Sequence, residues 1–369
     1  MANSDELKYW VAFSRIPGIG RIRTSQLKEH FGKLEDAWKA SEGELKQAGL
    51  DSRSTSALLA LRPKISLDAE MEKLARYKVK AITCEDPRYP SRLKEIYDYP
   101  PVLYVRGNLL PKGEPCLAVV GTRRPTIYGR QVTEDIVADL ARSSIIIVSG
   151  LARGIDSVAH RTVLDAGGKT VAVFASGLDI VYPAENAKLA QAIMEQGALI
   201  SEYPLGVKPK AENFPLRNRL MSGLSLGILV VEAGERSGAL ITAHQALEQN
   251  REVFAIPGSV LSPASKGTNH LIQEGAKLVC NYTDILEELN LSIVASQQLE
   301  IREFLPANEI ESTILKQLTP EPSHINEICR RSGLTMPEVS STLAMLELKG
   351  VARQVGNMNY VLAHEIKTG

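Results

Sequence analysis

From about residue 78 to about residue 290, short runs of apolar, β-branched residues alternate with segments of helical spacing. The runs are Val102–Val105, Leu117–Val120, Ile145–Val148, Thr170–Phe174, Ala198–Ile200, Ile228–Val231, Val253–Ile256 and Lys277–Val279. Helical spacing marks 130–142, 155–166, 185–196 and 239–250. The runs are apolar at successive positions, so both faces of each strand need cover. Strands of that kind separated by helices predict a doubly wound α/β core over 78–290, a parallel sheet with helices on both sides. In such a sheet, ligands bind outside the carboxyl ends of the strands.

Two smaller zones flank this core. Residues 1–72 read as short helices. Leu7, Trp10, Val11 and Ser14 share a face, and Ile16-Pro17-Gly18-Ile19-Gly20 interrupts the pattern. Ile22, Leu27 and Phe31 resume a helix that stops at Gly32, Ser41 with Glu44 forms a capping box, and Arg62-Pro63 closes the zone. Residues 291–307 read as a linker. In 308–369, helices are expected at 309–318, 324–331 and 336–348, the last opened by Thr335 and Glu338 with Pro337 in its first turn. A hairpin turning at Gly356-Asn357 follows. Three helices and a hairpin predict a winged helix. The 369 residues thus divide into three domains of unequal size.

Charge narrows the function. Lys and Arg total 43, as do Asp and Glu, so a uniformly basic nucleic-acid sleeve is excluded. Residues 208–219 differ: Lys208, Lys210, Arg217 and Arg219 face one acid, Glu212. The winged helix is slightly acidic, and its expected recognition helix, PEVSSTLAMLELKG, has no Arg and a single Lys at its end, which favours a protein-interaction or accessory role. Cys84, Cys116, Cys280 and Cys329 are far apart, which argues for reduced thiols and against a zinc site or disulfide framework. The histidines are scattered, and neither a metal nor a cofactor is expected. The N-terminal MANSDELKYW has no apolar core of a signal peptide. No apolar run reaches the roughly 20 residues of a membrane span, so a cytoplasmic protein is expected.

The chemistry-bearing loops follow strands. After LAVV comes Gly121-Thr122-Arg123-Arg124-Pro125-Thr126-Ile127-Tyr128-Gly129-Arg130; after IIIV comes Ser149-Gly150-Leu151-Ala152-Arg153-Gly154-Ile155-Asp156. Small residues there expose backbone N–H groups, helix starts add partial positive charge, and arginines add full charges. The combination predicts an anion-binding crevice suited to phosphate. Asp156 and Asp179 are read as loop-orienting acceptors. Phe214 and Tyr203 offer stacking faces for bases. Pro17-Gly18-Ile19-Gly20, flanked by Arg15, Arg21 and Arg23, resembles the hairpin of helix-hairpin-helix DNA-binding modules.

Two patterns mislead. Gly168-Lys169-Thr170 lacks the first glycine of a P-loop, since residue 163 is Val, and it precedes a strand. Gly223-Leu224-Ser225-Leu226-Gly227 fits GxSxG but leads into a strand, whereas a nucleophile elbow leaves one.

Taken in order, VGTRRPTIYG, VSGLARGID, GLDIVYP, SEYPLG, FPLRNR, EAGERSGALITA and IPGS…GTNHLIQEGA closely resemble the DNA-processing protein A (DprA, also called Smf) family over about residues 85–280. The resemblance implies a Rossmann-like core between a helical, helix-hairpin-helix or SAM-like module and a winged helix. It implies a non-catalytic protein that binds single-stranded DNA, helps load the RecA recombinase onto it, including in natural transformation, and acts as a homodimer. On matching positions, the DNA pocket would draw on Gly121, Thr122, Arg123, Arg124, Ser149, Gly150, Arg153, Gly154, Lys169, Arg217, Asn218 and Arg219. The arginines and Lys169 would contact phosphate, and the loop glycines and serine would offer N–H groups. His270, Leu271 and Ile272 would lie near a dimer or partner surface.

Two enzyme readings compete. A phosphoribohydrolase of the lysine-decarboxylase-like group needs a PGGxGTxxxE loop, and Glu232-Ala233-Gly234-Glu235-Arg236-Ser237-Gly238 lacks the PGG run. An NAD-dependent oxidoreductase needs GxGxxG after the first strand, which GTRRPT is not.

Overall fold

The computed structural model describes residues 4–108, 113–291, 308–319, 323–349, 351–354 and 358–362. The chain divides into two compact units, residues 1–295 and 296–369.

The first unit opens with helices α1 (Ser4–Phe13), α2 (Arg21–Phe31), α3 (Leu34–Lys39), α4 (Glu42–Gln47), α5 (Ser52–Leu61) and α6 (Leu67–Arg76). The Ser41–Glu44 capping box opens α4 as expected, and Asp51 caps α5 by accepting from the Ser54 N–H. The helical zone runs one helix past Arg62-Pro63. Residues 62–64 form a single 3₁₀ turn, and Ser66 then caps α6. Trp10, Phe13, Leu27 and Trp38 are buried in the same apolar cluster as Tyr104, Phe174 and Leu199 of the sheet. The helices therefore share a core with the sheet. Polar contacts pin the seam: Ser14 Oγ lies 2.7 Å from the Tyr104 hydroxyl, and Arg15 donates to the Leu205 carbonyl at 2.8 Å.

The sheet holds β1 (Lys80–Thr83), β2 (Val102–Gly107), β3 (Cys116–Val120), β4 (Ile146–Ser149), β5 (Thr170–Phe174), β6 (Ala198–Ser201), β7 (Gly227–Val230), β8 (Glu252–Ala255) and β9 (Lys277–Leu278). Their order is β1-β2-β6-β5-β4-β3-β7-β8-β9. Every pairing from β6 to β9 is parallel. Helices α7 (Ile127–Arg142), α8 (Ile155–Asp165), α9 (Ala187–Gln196), α10 (Asn213–Leu224), α11 (Gly238–Glu248), α12 (Lys266–Gln273) and α13 (Tyr282–Glu288) complete this unit. Two apolar clusters centre on opposite faces of the strands: Val148, Val173, Ile228 and Leu220 on one, Leu117, Ile147, Leu229 and Ile136 on the other. After β3 the chain builds outward through β4, β5 and β6, then returns to lay β7 on the other side of β3. That reversal is the topological switch point.

Two features are not carried by the sequence pattern. β1 and β2 are antiparallel, β2 pairing with β6 as Tyr104 opposite Ser201. An apolar run specifies burial and not direction, so the reversal is silent in the pattern. The basic stretch 208–219 is mostly helix, α10, whose turns carry Pro215 and five polar residues that blur the period.

The second unit has α14 (Glu309–Leu315), β10 (Ser323–His324), α15 (Ile325–Ser332), α16 (Met336–Leu348), β11 (Ala352–Gln354) and β12 (Asn359–Leu362), with antiparallel strand order β10-β12-β11. Ile314, Ile328, Val339, Leu343, Leu346 and Tyr360 form its core. Glu338 accepts from both the Thr335 N–H (2.8 Å) and hydroxyl (2.6 Å), the expected capping box. This is the expected winged-helix arrangement. The expected linker beyond Leu291 and the Gly356-Asn357 turn lie outside the described residues.

Candidate functional site

The loops after β3, β4, β5 and β7 meet at the switch point around a cavity of about 860 Å³. Its walls include Gly121, Thr122 and Arg123 after β3, Ala152 and Asp156 after β4, and Tyr182 after β5. Helix α10 adds Phe214, Arg217 and Asn218; the start of α11 adds Arg236, Ser237 and Gly238.

Each loop is held by internal bonds. Glu232, 2% exposed, accepts from the Thr126 N–H (2.9 Å) and hydroxyl (2.6 Å), tying the 121–126 loop to the end of β7. Asp156 accepts from the N–H groups of Gly150 (3.1 Å) and Ala152 (3.3 Å), and Asp179 from Gly206 (2.8 Å). Both acids orient loops as expected. Burial raises the Asp156 carboxyl above the usual range, against the pull of Arg217. Gly154 adopts φ +79° at the start of α8, and a Cβ there would lie 2.2 Å from the Thr122 carbonyl oxygen. No other residue type fits that approach.

The predicted arginines have unlike fates. Arg123 is exposed at the cavity mouth, 5.8 Å from the Phe214 ring centroid. Arg124 is exposed beside it. Arg217 is 4% exposed, and its Nη1 donates to the Gly150 carbonyl (2.7 Å) and to the Val173 carbonyl. Burial pulls its pKa down to about 10. It clamps the ends of β4 and β5 together while its flank lines the cavity. Asn218 accepts from Arg217 Nε at 3.2 Å. Arg219 does not line the cavity; it pairs with Glu202 (2.6 Å) and Asp98 (2.7 Å). Arg153 forms a two-pronged pair with Glu185 at 2.9 and 2.8 Å. The Ser149 hydroxyl is buried and donates to the Val119 carbonyl.

Lys169 and Leu271 also lie away from where the sequence pattern put them. Lys169 precedes β5 and pairs with Glu114, which precedes β3, at 2.8 Å. It therefore sits at the amino-end edge of the sheet, away from the cavity. Leu271 is 3% exposed in the sheet's own core, so its side chain presents no partner surface, whereas His270 on the same helix is exposed and Ile272 half-buried. The arginines by the 16–20 turn are also engaged: Arg15 with Glu70, Arg23 with Asp51 and the Gly18 carbonyl, and Arg21 against two tyrosine rings.

Sequence reasoning singled out neither Arg236 nor Glu232 as site residues, although their loop follows β7 as the others follow their strands. Tyr182 stacks obliquely on Phe214, centroids 5.6 Å apart, giving the cavity an aromatic wall beside its cations. Among the described residues no cluster of three or more His, Cys, Asp or Glu stands ready to hold a metal. No helix among them is long and apolar enough to cross a membrane.

A family model described as DNA recombination-mediator protein A matches residues 80–290, and one described as DprA winged helix domain matches 305–358. The chain is 35% identical to protein Smf of Synechocystis, covering 98% of this chain and 99% of that one. It is 40% identical to protein Smf of Escherichia coli, covering 83% of each. Among solved structures, DNA processing protein A of Streptococcus pneumoniae superposes with TM-score 0.67 and 36% identity, over 78% of this chain and 99% of that one. A Helicobacter pylori DNA processing protein A, described for its single-stranded DNA binding mode, gives TM-score 0.52 and 28% identity, over 59% of this chain and 98% of that one. With a switch-point crevice on a Rossmann-like sheet, a winged helix later in the chain and these matches along its length, the chain belongs to the DNA recombination-mediator protein A family.

Proposed function

We propose that the switch-point cavity binds single-stranded DNA, and that the protein acts without catalysis as a mediator that hands this DNA to the RecA recombinase. The observation that carries this reading is the pairing of an aromatic wall, Phe214 and Tyr182, with the exposed guanidinium of Arg123 in one cavity. Aromatic faces stack any base, and cations answer the backbone, which is how strands are held without sequence readout. The start of α11, with Arg236 and Ser237, adds N–H groups and charge for phosphate. The described binding mode of the Helicobacter pylori relative supports the same ligand. A homodimer through the Rossmann-like core and a cytoplasmic setting belong to this proposal.

The phosphoribohydrolase reading is disfavoured by Glu232. Its carboxylate is buried and engaged by Thr126, so it is not offered to a substrate.

Oligo-dT binding followed by fluorescence anisotropy across a salt series tests the proposal. Affinity should fall with a log–log slope of about −0.7 per phosphate neutralised, and Arg123→Glu should weaken binding to every sequence alike. Unchanged affinity in Arg123→Glu, or nucleotide hydrolysis without oligo-dT binding, would overturn it.

A further inference from the structure

The segment before β2 carries an aromatic that the fold does not use. Tyr97 is 73% exposed, while its neighbours Ile96 and Tyr99 pack inward. The Arg21 guanidinium, from the first turn of α2, lies 5.3 Å from the Tyr97 ring centroid and 5.0 Å from that of Tyr99. Arg21 makes no ion pair among the described residues, and its Nε is buried without a hydrogen-bond partner. An unpaired cation between two rings, one of them open to solvent, repeats the chemistry of Arg123 and Phe214 in the cavity.

The topology puts this pair on the cavity's side of the sheet. β2 runs antiparallel to β6, with Tyr104 opposite Ser201, so the residues before Val102 lie beyond the carboxyl end of β6. The cavity lies beyond the carboxyl ends of β3 and β7, on the same edge. Arg219 of α10 joins the two regions: two residues from the cavity-lining Arg217, it reaches Asp98, beside Tyr97, at 2.7 Å. Lys208 and Lys210, in the loop after β6, are exposed on that edge too.

We propose that Tyr97 and Arg21 form a second stacking site for single-stranded DNA, which takes a base from a strand long enough to leave the cavity along the sheet edge. This rests on the single-stranded DNA reading of the cavity. The Tyr97 ring offers its open face to the base, and the Arg21 cation holds the ring in place and lowers the cost of nearby phosphate.

The test is an oligo-dT series from about 4 to about 20 nucleotides on the full chain. In the wild type, affinity should step up at the length that reaches Tyr97. Tyr97→Ala should lose that step, binding long oligomers about tenfold more weakly while binding the short ones unchanged. Tyr97→Trp should keep the step and show indole quenching only past it, against the background of the buried Trp10 and Trp38. A wild type without a step, a step that survives Tyr97→Ala, or an equal loss at all lengths would overturn the proposal while leaving the cavity reading in place. Absence of binding at every length would overturn both.

Discussion

A Cβ built on Gly150 would lie 2.5 Å from Nη2 of Arg217. The missing side chain of one residue is the room occupied by the other. Arg217 cannot step aside cheaply, because its Nη1 is bonded to the carbonyls of Gly150 and Val173 at the ends of β4 and β5. Gly150→Ala should therefore destabilise the protein by about 1–3 kcal/mol, the range for overpacking a filled site. Urea unfolding checks this, and an unchanged midpoint would mean that Arg217 has another resting place.

Glu232 bonds Thr126 across the switch point, so the 121–126 loop should depend on it. Glu232→Gln replaces one acceptor oxygen with a donor facing an N–H or a hydroxyl. The expected loss is about 1–3 kcal/mol of stability, from a buried bond unmade. Oligo-dT affinity should fall as well, since Arg123 rides on that loop. Retained affinity with lowered stability would separate the loop's shape from its binding role.

His160 gives a pH dependence with a definite sign. It is fully buried, its Nδ1 2.7 Å from the Thr170 hydroxyl, and burial pushes its pKa down from 6.5 to about 3. In that interval the unfolded chain takes up a proton on this ring and the folded chain does not. Stability is therefore full above 6.5 and declines as pH falls toward 3. Between pH 7 and pH 5 the ring should account for about 2 kcal/mol of loss. Urea unfolding at both pH values, wild type against His160→Gln, isolates it: the variant's loss should be smaller by that amount.

Lys169 and Arg123 should separate cleanly. Both are exposed cations, but Lys169 stands at the amino-end edge with Glu114. Lys169→Glu should leave oligo-dT affinity and its salt slope unchanged, where Arg123→Glu weakens binding and reduces the slope by about 0.7. A matching loss in both variants would relocate the DNA path.

Much of the fold is legible residue by residue. The runs LAVV, IIIV and TVAVF become β3, β4 and β5 almost to the residue, because short, β-branched runs of this length suit strands buried on both faces. Local capping chemistry is equally readable at Ser41–Glu44 and Thr335–Glu338, since the partners are three residues apart. For Lys169 the sequence carries a contrary signal: it precedes its strand, while the loops around the cavity follow theirs. Leu271 could not be sorted from His270 by motif alone, because one turn of α12 faces the core and solvent in adjacent positions.

By itself the sequence determined the alternating α/β pattern, the family motifs and the loops that follow strands. Those depend on local periodicity and on neighbours a few residues apart. Only the tertiary structure decided which charges are free. Arg123 and Arg217 read alike in the sequence, yet one reaches solvent and the other is consumed by carbonyls of two strands far away in the chain. A guanidinium's role is set by what lies within about 3 Å of it. In this fold those neighbours come from strands that meet only when the sheet has assembled.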